Sequence, residues 1–139
     1  MAERYLLSGR TLPVMPVPHD CVIENIEVTE EYIVFRFENG IHDRPAVKIV
    51  HPGARSLVIK YRLADPCFYV YRQEEPTVRG RMPGYKFVEQ EELPGTAKGW
   101  SYLCHYVGYN AIIIKLWRGR SNLFIDARVD EAEYDWIEG

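Results

Sequence analysis

The sequence predicts an all-β domain, a mostly antiparallel sandwich or partly open barrel, finished by a short C-terminal helix. Three observations carry this. Segments of five to ten residues rich in Val, Ile, Tyr and Phe recur from Cys21 to Val129, punctuated by Gly, Pro, Asn and Asp at hairpin-length intervals. Aromatic residues make up 13% of the chain, ten of them Tyr, and suit a pleated surface. No long helical pattern separates the strand candidates, which argues against a parallel strand–helix–strand sheet. At 139 residues and 47% apolar content, residues 1–139 form a single domain that buries a core without staples.

Residues 1–18 read as an extended arm. Pro13, Pro16 and Pro18 exclude a central strand there, and Leu12, Val14, Met15 and Val17 offer packing contacts. Val22 to Val28 is the first strand candidate. Thr29-Glu30-Glu31 turns into Tyr32 to Glu38, where Ile33, Phe35 and Phe37 share a face opposite Arg36 and Glu38. Asn39-Gly40 is a turn signal, and Ala46 to Val50 reads as a short strand closed by His51-Pro52-Gly53. In Ser56 to Leu63, the residues Leu57, Ile59, Tyr61 and Leu63 alternate with Lys60 and Arg62, the pattern of a half-buried strand. Asp65-Pro66 breaks it before a strand at Cys67 to Tyr71. Arg72 to Gly84, with Pro76, Gly80, Pro83, three arginines and two glutamates, reads as a long polar loop.

Tyr85 to Val88 begins a strand that fades into Glu89-Gln90-Glu91-Glu92 and Pro94-Gly95. Trp100 to Val107 follows, with Trp100, Tyr102, Cys104 and Tyr106 on one face. Tyr109 to Trp117 is apolar on both faces through Ile112, Ile113, Ile114 and Leu116, as the most buried strand should be. After the tight Arg118 to Asn122 loop, Leu123, Ile125, Ala127 and Val129 point inward. The C-terminus reads as helix. Asp130 caps it, Glu133 completes a capping box, and Val129, Ala132 and Trp136 have helical spacing. Such a short helix persists only with Trp136 docked on the sheet.

The formal net charge of −3 gives no general grip on nucleic acid or anionic membrane. No stretch approaches the roughly 20 apolar residues that span a bilayer. Cys21, Cys67 and Cys104 are odd in number and widely spaced, which argues against a disulfide framework or a cysteine-bound zinc. The opening Met1 to Ser8 lacks the apolar core of a secretory signal, so a cytoplasmic location is expected. Neither a Gly-x-Ser-x-Gly nucleophile turn nor a phosphate-binding Gly loop occurs, and no cofactor is expected.

Four sets of residues are candidates for function. His19, His42, His51 and Asp43 have the chemistry to hold zinc or iron, as in a metal-dependent, cupin-like hydrolase. Their spacing is not diagnostic, and the favoured reading makes His19-Asp20 and His42-Asp43 turn residues. Cys104-His105 resembles a thiol–imidazole pair, but strand neighbours point to opposite faces, so an inert core cysteine is favoured. Glu74-Glu75 and Glu91-Glu92 read as solvated charge rather than a pKa-tuned acid and base. Core packing is the favoured reading of Tyr69, Tyr71, Trp100, Tyr102, Tyr106, Tyr109 and Trp117, but an aromatic content of 13% exceeds what a small core needs, so a few should be exposed. Those left exposed would anchor a protein, or stack on sugar in a carbohydrate-binding module. A binding surface is expected at Arg79 and Arg81 of the polar loop and at Asp130, Glu131, Glu133 and Trp136 of the acidic terminus. The partner there would be a basic protein.

The segment His19-Asp20-Cys21-Val22-Ile23-Glu24-Asn25-Ile26, followed by an amphipathic strand to Glu38, resembles the H-D-x-x-I-x-x-I opening of small bacterial β-proteins. Some of these are grouped as toxin-immunity proteins, which neutralise a toxin by binding it. The likeness covers about 20 residues of the 139 and carries no active site. It implies a small bacterial binding protein without chemistry of its own. Together these readings favour a non-enzymatic protein-binding module over the hydrolase and the carbohydrate-binding module.

Overall fold

The alternating segment around Leu57 to Leu63 sits at the centre of one sheet, where alternation is most useful: one face is core and the other is solvent. A computed structural model describes residues 2–74 and 84–139. Among the described residues, the strands are β1 (Ala2–Leu6), β2 (Ile23–Val28), β3 (Tyr32–Phe37), β4 (Ala54–Leu63), β5 (Tyr69–Glu74), β6 (Gly84–Val88), β7 (Ser101–Gly108), β8 (Ala111–Arg118), β9 (Ser121–Ala127) and β10 (Val129–Glu138). The helices are the single turns α1 (Pro45–Val50) and α2 (Leu93–Ala97). The first sheet has the order β1-β10-β4-β3-β2 and the second β6-β5-β9-β8-β7, antiparallel throughout. The protein is therefore an all-β sandwich.

The two sheets are stitched at one corner. Ile23 N–H donates to the Trp100 carbonyl at 2.9 Å, and Tyr102 N–H donates to that of Cys21 at 2.9 Å. The partners of β2 on one side and β7 on the other thus meet through the chain before β2. Strands β1 and β6 are left as the outer edges.

All nine residues expected in the core are buried: Phe35, Phe37, Leu57, Ile59, Tyr61, Ile112, Ile114, Ile125 and Val129. Between the sheets, Phe35 meets Tyr61 and Tyr102 edge to face at 5.4 and 6.1 Å, an arrangement that suits the ring quadrupoles. The Tyr61 and Tyr102 hydroxyls bond each other at 2.9 Å, and the Tyr102 hydroxyl also reaches Nδ1 of His105 at 2.7 Å. Tyr134 donates to the Pro16 carbonyl at 2.7 Å, which fastens the proline-containing arm to the first sheet. Along that arm Met15 is buried while Val14 is exposed.

Five expectations are corrected. Residues 129–138 are a strand rather than a helix. The register shift between Val129 and Glu131 places two residues opposite one, so Val129 and Ala132 point inward together although three positions apart. A bulge thus imitates helical spacing, and Asp130 with Glu133 makes no capping box. Ala46 to Val50 is the helical turn α1, started by Pro45 at its first position, and only Val47 is buried. The arm does not run through residues 1–18, because Ala2–Leu6 pairs with β10. Strand β8 is half-buried: Ile112, Ile114 and Leu116 face the core and Ile113 does not. The bulge between Tyr102 and Cys104 turns β7 over, so Cys104 and Tyr106 leave the face that Trp100 and Tyr102 occupy, and His105 points inward.

Hairpins follow local chemistry. The β8–β9 turn has two central residues, Gly119 and Arg120, and Gly119 takes φ +61°, which glycine adopts without steric cost.

Two neighbouring isoleucines should therefore behave differently. Ile114→Ala is expected to cost about 2–5 kcal/mol, the usual loss for a buried isoleucine. Ile113→Ala should cost well under half of that. Urea denaturation of the two variants checks this, and equal losses would contradict the half-buried strand.

Candidate aromatic binding face

The outward side of the second sheet is where the unused aromatics gather. In β9 the residues Leu123, Ile125 and Ala127 point to the core, so Asn122, Phe124 and Asp126 point out. Register carries this across the strands. One row runs Phe87, Tyr71, Phe124, Lys115 and Cys104. A second runs Tyr69, Asp126, Ile113 and Tyr106. A third runs Tyr85, Gln73, Asn122, Trp117 and Ser101.

Seven aromatic side chains thus share one solvent-facing sheet surface. Phe87 is 82% exposed, Tyr69 69%, and Tyr85 and Tyr106 61% each. Between Tyr69, Tyr71, Tyr85, Lys86, Phe87 and Asp126 lies a groove of about 420 Å³. Tyr71 and Phe124 stack on each other at 5.0 Å with planes 14° apart, and Tyr85 and Phe87 meet Tyr71 edge to face at 6.1 and 6.4 Å. Amides brace one end: Gln73 Nε2 donates to the Tyr85 hydroxyl at 3.1 Å. Lys115 Nζ lies 5.4 Å from the Phe124 ring centre, a cation–π contact. Burial raises the Tyr71 phenol above its ordinary pKa, and the nearby Asp126 carboxylate raises it further. The charged groups around the groove and its rows are Lys86, Lys115 and Asp126.

The residues singled out by sequence lie elsewhere. Arg79 and Arg81 fall outside the described residues, as does most of the polar loop. Arg72 to Glu74 and Gly84 belong to β5 and β6. Asp130, Glu131 and Glu133 lie on β10 against arginines. Arg62 bonds Asp130 at 2.7 Å and Glu131 at 3.1 Å, while Arg4 lies 3.8 Å from both Glu131 and Glu133. Exposed pairs of this kind are worth little in stability, yet they offset the negative field that a basic partner would meet. Trp136 is buried, stacked on His51 at 5.3 Å, and is no exposed anchor.

The histidines are not gathered. His19 Nδ1 bonds the Leu103 carbonyl at 3.0 Å, His42 Nε2 lies 3.5 Å from Asp43, and His51 Nε2 lies 2.9 Å from Glu138. Among the described residues no group of three His, Cys, Asp or Glu is placed to hold a metal. Cys104 and His105 point to opposite faces, as expected, but the bulge makes His105 the inward one. Of the aromatics named from sequence, Trp100 and Tyr102 are core, whereas Tyr69, Tyr71, Tyr106 and Trp117 belong to the face. Tyr109 is exposed in the β7–β8 turn. Sequence reasoning missed Tyr85, Phe87 and Phe124. The signal for Phe124 was an apolar residue on the supposed solvent side of a strand whose other side, Leu123 and Ile125, was already apolar.

No protein-family model, curated protein or solved structure matches this chain. No helix among the described residues is long and apolar enough to cross a membrane.

His105 gives a pH-dependent expectation. Burial lowers its pKa below the ordinary histidine value, so the unfolded chain binds this proton more readily than the folded one. Its contribution to stability is complete above the unfolded value of about 6.5 and falls as pH drops below it. His105→Gln should flatten the acid loss that sets in as pH falls below about 6.5 in urea titrations. Equal pH slopes in variant and wild type would contradict the burial argument.

Proposed function

We propose that this chain is a non-enzymatic protein-binding module whose contact surface is the aromatic outer face of the second sheet. The observation that carries the reading is the cluster of rings at an open groove, where Tyr85 and Phe87 meet Tyr71 edge to face and Phe124 stacks behind it. Contiguous exposed apolar patches of several hundred Å² are typical of interaction sites, and aromatics anchor them. Sugar stacking wants ring faces laid open to solvent. Here Tyr71 and Phe124 cover one another's faces, which favours a protein partner over a glycan. The resemblance of the His19 to Ile26 opening to toxin-immunity proteins points the same way, towards function by binding. The offset charges of Asp130, Glu131 and Glu133 give less support to a basic partner at the C-terminal strand.

The test is capture from extract of the source cells, using wild type and a Tyr69→Ser/Phe87→Ser variant. Both positions are exposed, so the melting temperature should shift by only a few degrees, in keeping with surface substitutions. A bound protein retained by wild type and lost from the variant is expected. Retention by both would remove this face from the interface. Trp117 fluorescence that responds to soluble glycans, with no protein captured, would favour the carbohydrate reading instead.

A further inference from the structure

The partner chemistry can be narrowed, on the reading that this face binds protein. We propose that its occupant is a second copy of the same chain, docked face to face about a two-fold axis. The argument starts from charge. Across the three rows that make the face, the charged positions are Lys115 and Asp126, and Lys86 adds a further cation at the groove's β6 edge. Among the described residues neither Lys115 nor Asp126 makes an ion pair: the nearest partner of Lys115 is the Phe124 ring, and no cation lies within bonding distance of Asp126.

Their placement is what a two-fold needs. Lys115 pairs across the sheet with Phe124, and Asp126 stands two residues further along that same strand, opposite Ile113. The two charges are thus on adjacent strands and one row apart, about 8 Å from each other by sheet geometry. In this structure they do not pair with each other, because the Lys115 ammonium lies over the Phe124 ring instead. A two-fold axis lying in the interface and running between them sets Lys115 against the partner's Asp126, and Asp126 against the partner's Lys115. Two-fold interfaces are self-complementary in this sense, each contact occurring twice. A partner selected by a one-signed field would instead meet a face of one sign, and this face has none.

Position and area agree. Phe124 lies on β9, the central strand of the five, so an axis beside it passes through the middle of the face and covers the aromatic rows on both sides. Strands about 4.8 Å apart and rows about 6.8 Å apart make a face of about 480 Å², hence about 1,000 Å² over two copies. That lies below the roughly 1,200–2,000 Å² of stable specific interfaces and in the range of weak, reversible ones, so the dimer should be concentration-dependent.

Sedimentation velocity across low to high micromolar concentration tests it, on the full chain. Wild type should shift from monomer to dimer. Asp126→Lys sets lysine against lysine and Lys115→Asp sets aspartate against aspartate, and each should weaken association about tenfold or more. The double exchange, Lys115→Asp with Asp126→Lys, should restore it. Circular dichroism confirms that each variant folds. A wild type that stays monomeric, single variants that associate as wild type does, or a double variant that fails to recover would each overturn the proposal. A monomeric wild type whose Tyr69→Ser/Phe87→Ser variant still loses a captured protein removes the second copy alone. If capture is also indifferent to that variant, the binding face falls with it.

Discussion

The fold depends on one polar seam inside an apolar core. Tyr61 on β4 and Tyr102 on β7 belong to different sheets, both are fully buried, and their hydroxyls bond at 2.9 Å. A buried hydroxyl without a partner is costly, so each sheet supplies the other's missing bond. His105 closes the chain. Its Nδ1 meets the Tyr102 hydroxyl, and the backbone of Met15 meets the ring as well. A neutral imidazole serves both contacts, accepting from the phenol and donating to the backbone. Burial also holds the Tyr61 and Tyr102 phenols well above their ordinary pKa, keeping them protonated donors. Directional bonds of this kind fix how the sheets sit, which apolar contacts alone specify less sharply.

The seam depends in turn on a backbone irregularity. Without the bulge after Tyr102, His105 would point outward and Cys104 inward, and the chain of bonds would end at a phenol. The same bulge sends Tyr106 to the outer face of the second sheet, where it joins Tyr69 across Ile113 and Asp126. One extra residue therefore serves both surfaces of β7. It completes the buried network on one side and extends the aromatic face on the other.

The two sheets differ on their outer sides. The first sheet turns Glu131, Glu133, Arg62 and Lys60 outward, with ion pairs across β10, β4 and β1. The second turns rings outward. Leaving Phe87 and Tyr69 in water costs apolar hydration that a charged side chain would avoid. Cys21 contributes nothing chemically, since burial raises its thiol to about 12 and leaves it protonated.

Strand alternation in Ile33 to Phe37, Leu57 to Leu63 and Leu123 to Val129 was legible in the sequence because a two-residue period reports directly which side of a strand is buried. The same holds for the core list, whose nine residues are all inside. What misled were positions where local pattern and tertiary context diverge. Val129, Ala132 and Trp136 imitate helical spacing, and only pairing with β4 shows the bulge that produces it. Pro45 starts a helical turn where β-branched residues suggest a strand. The candidate face could not be read from the chain because it joins residues from five strands. A strand apolar on both sides looks the same whether its second side meets another layer or water. The sequence by itself determined the class, the strands and their inner residues, through periodicity and turn chemistry. The tertiary structure decided which second side stays open, since that depends on which layers exist to cover it.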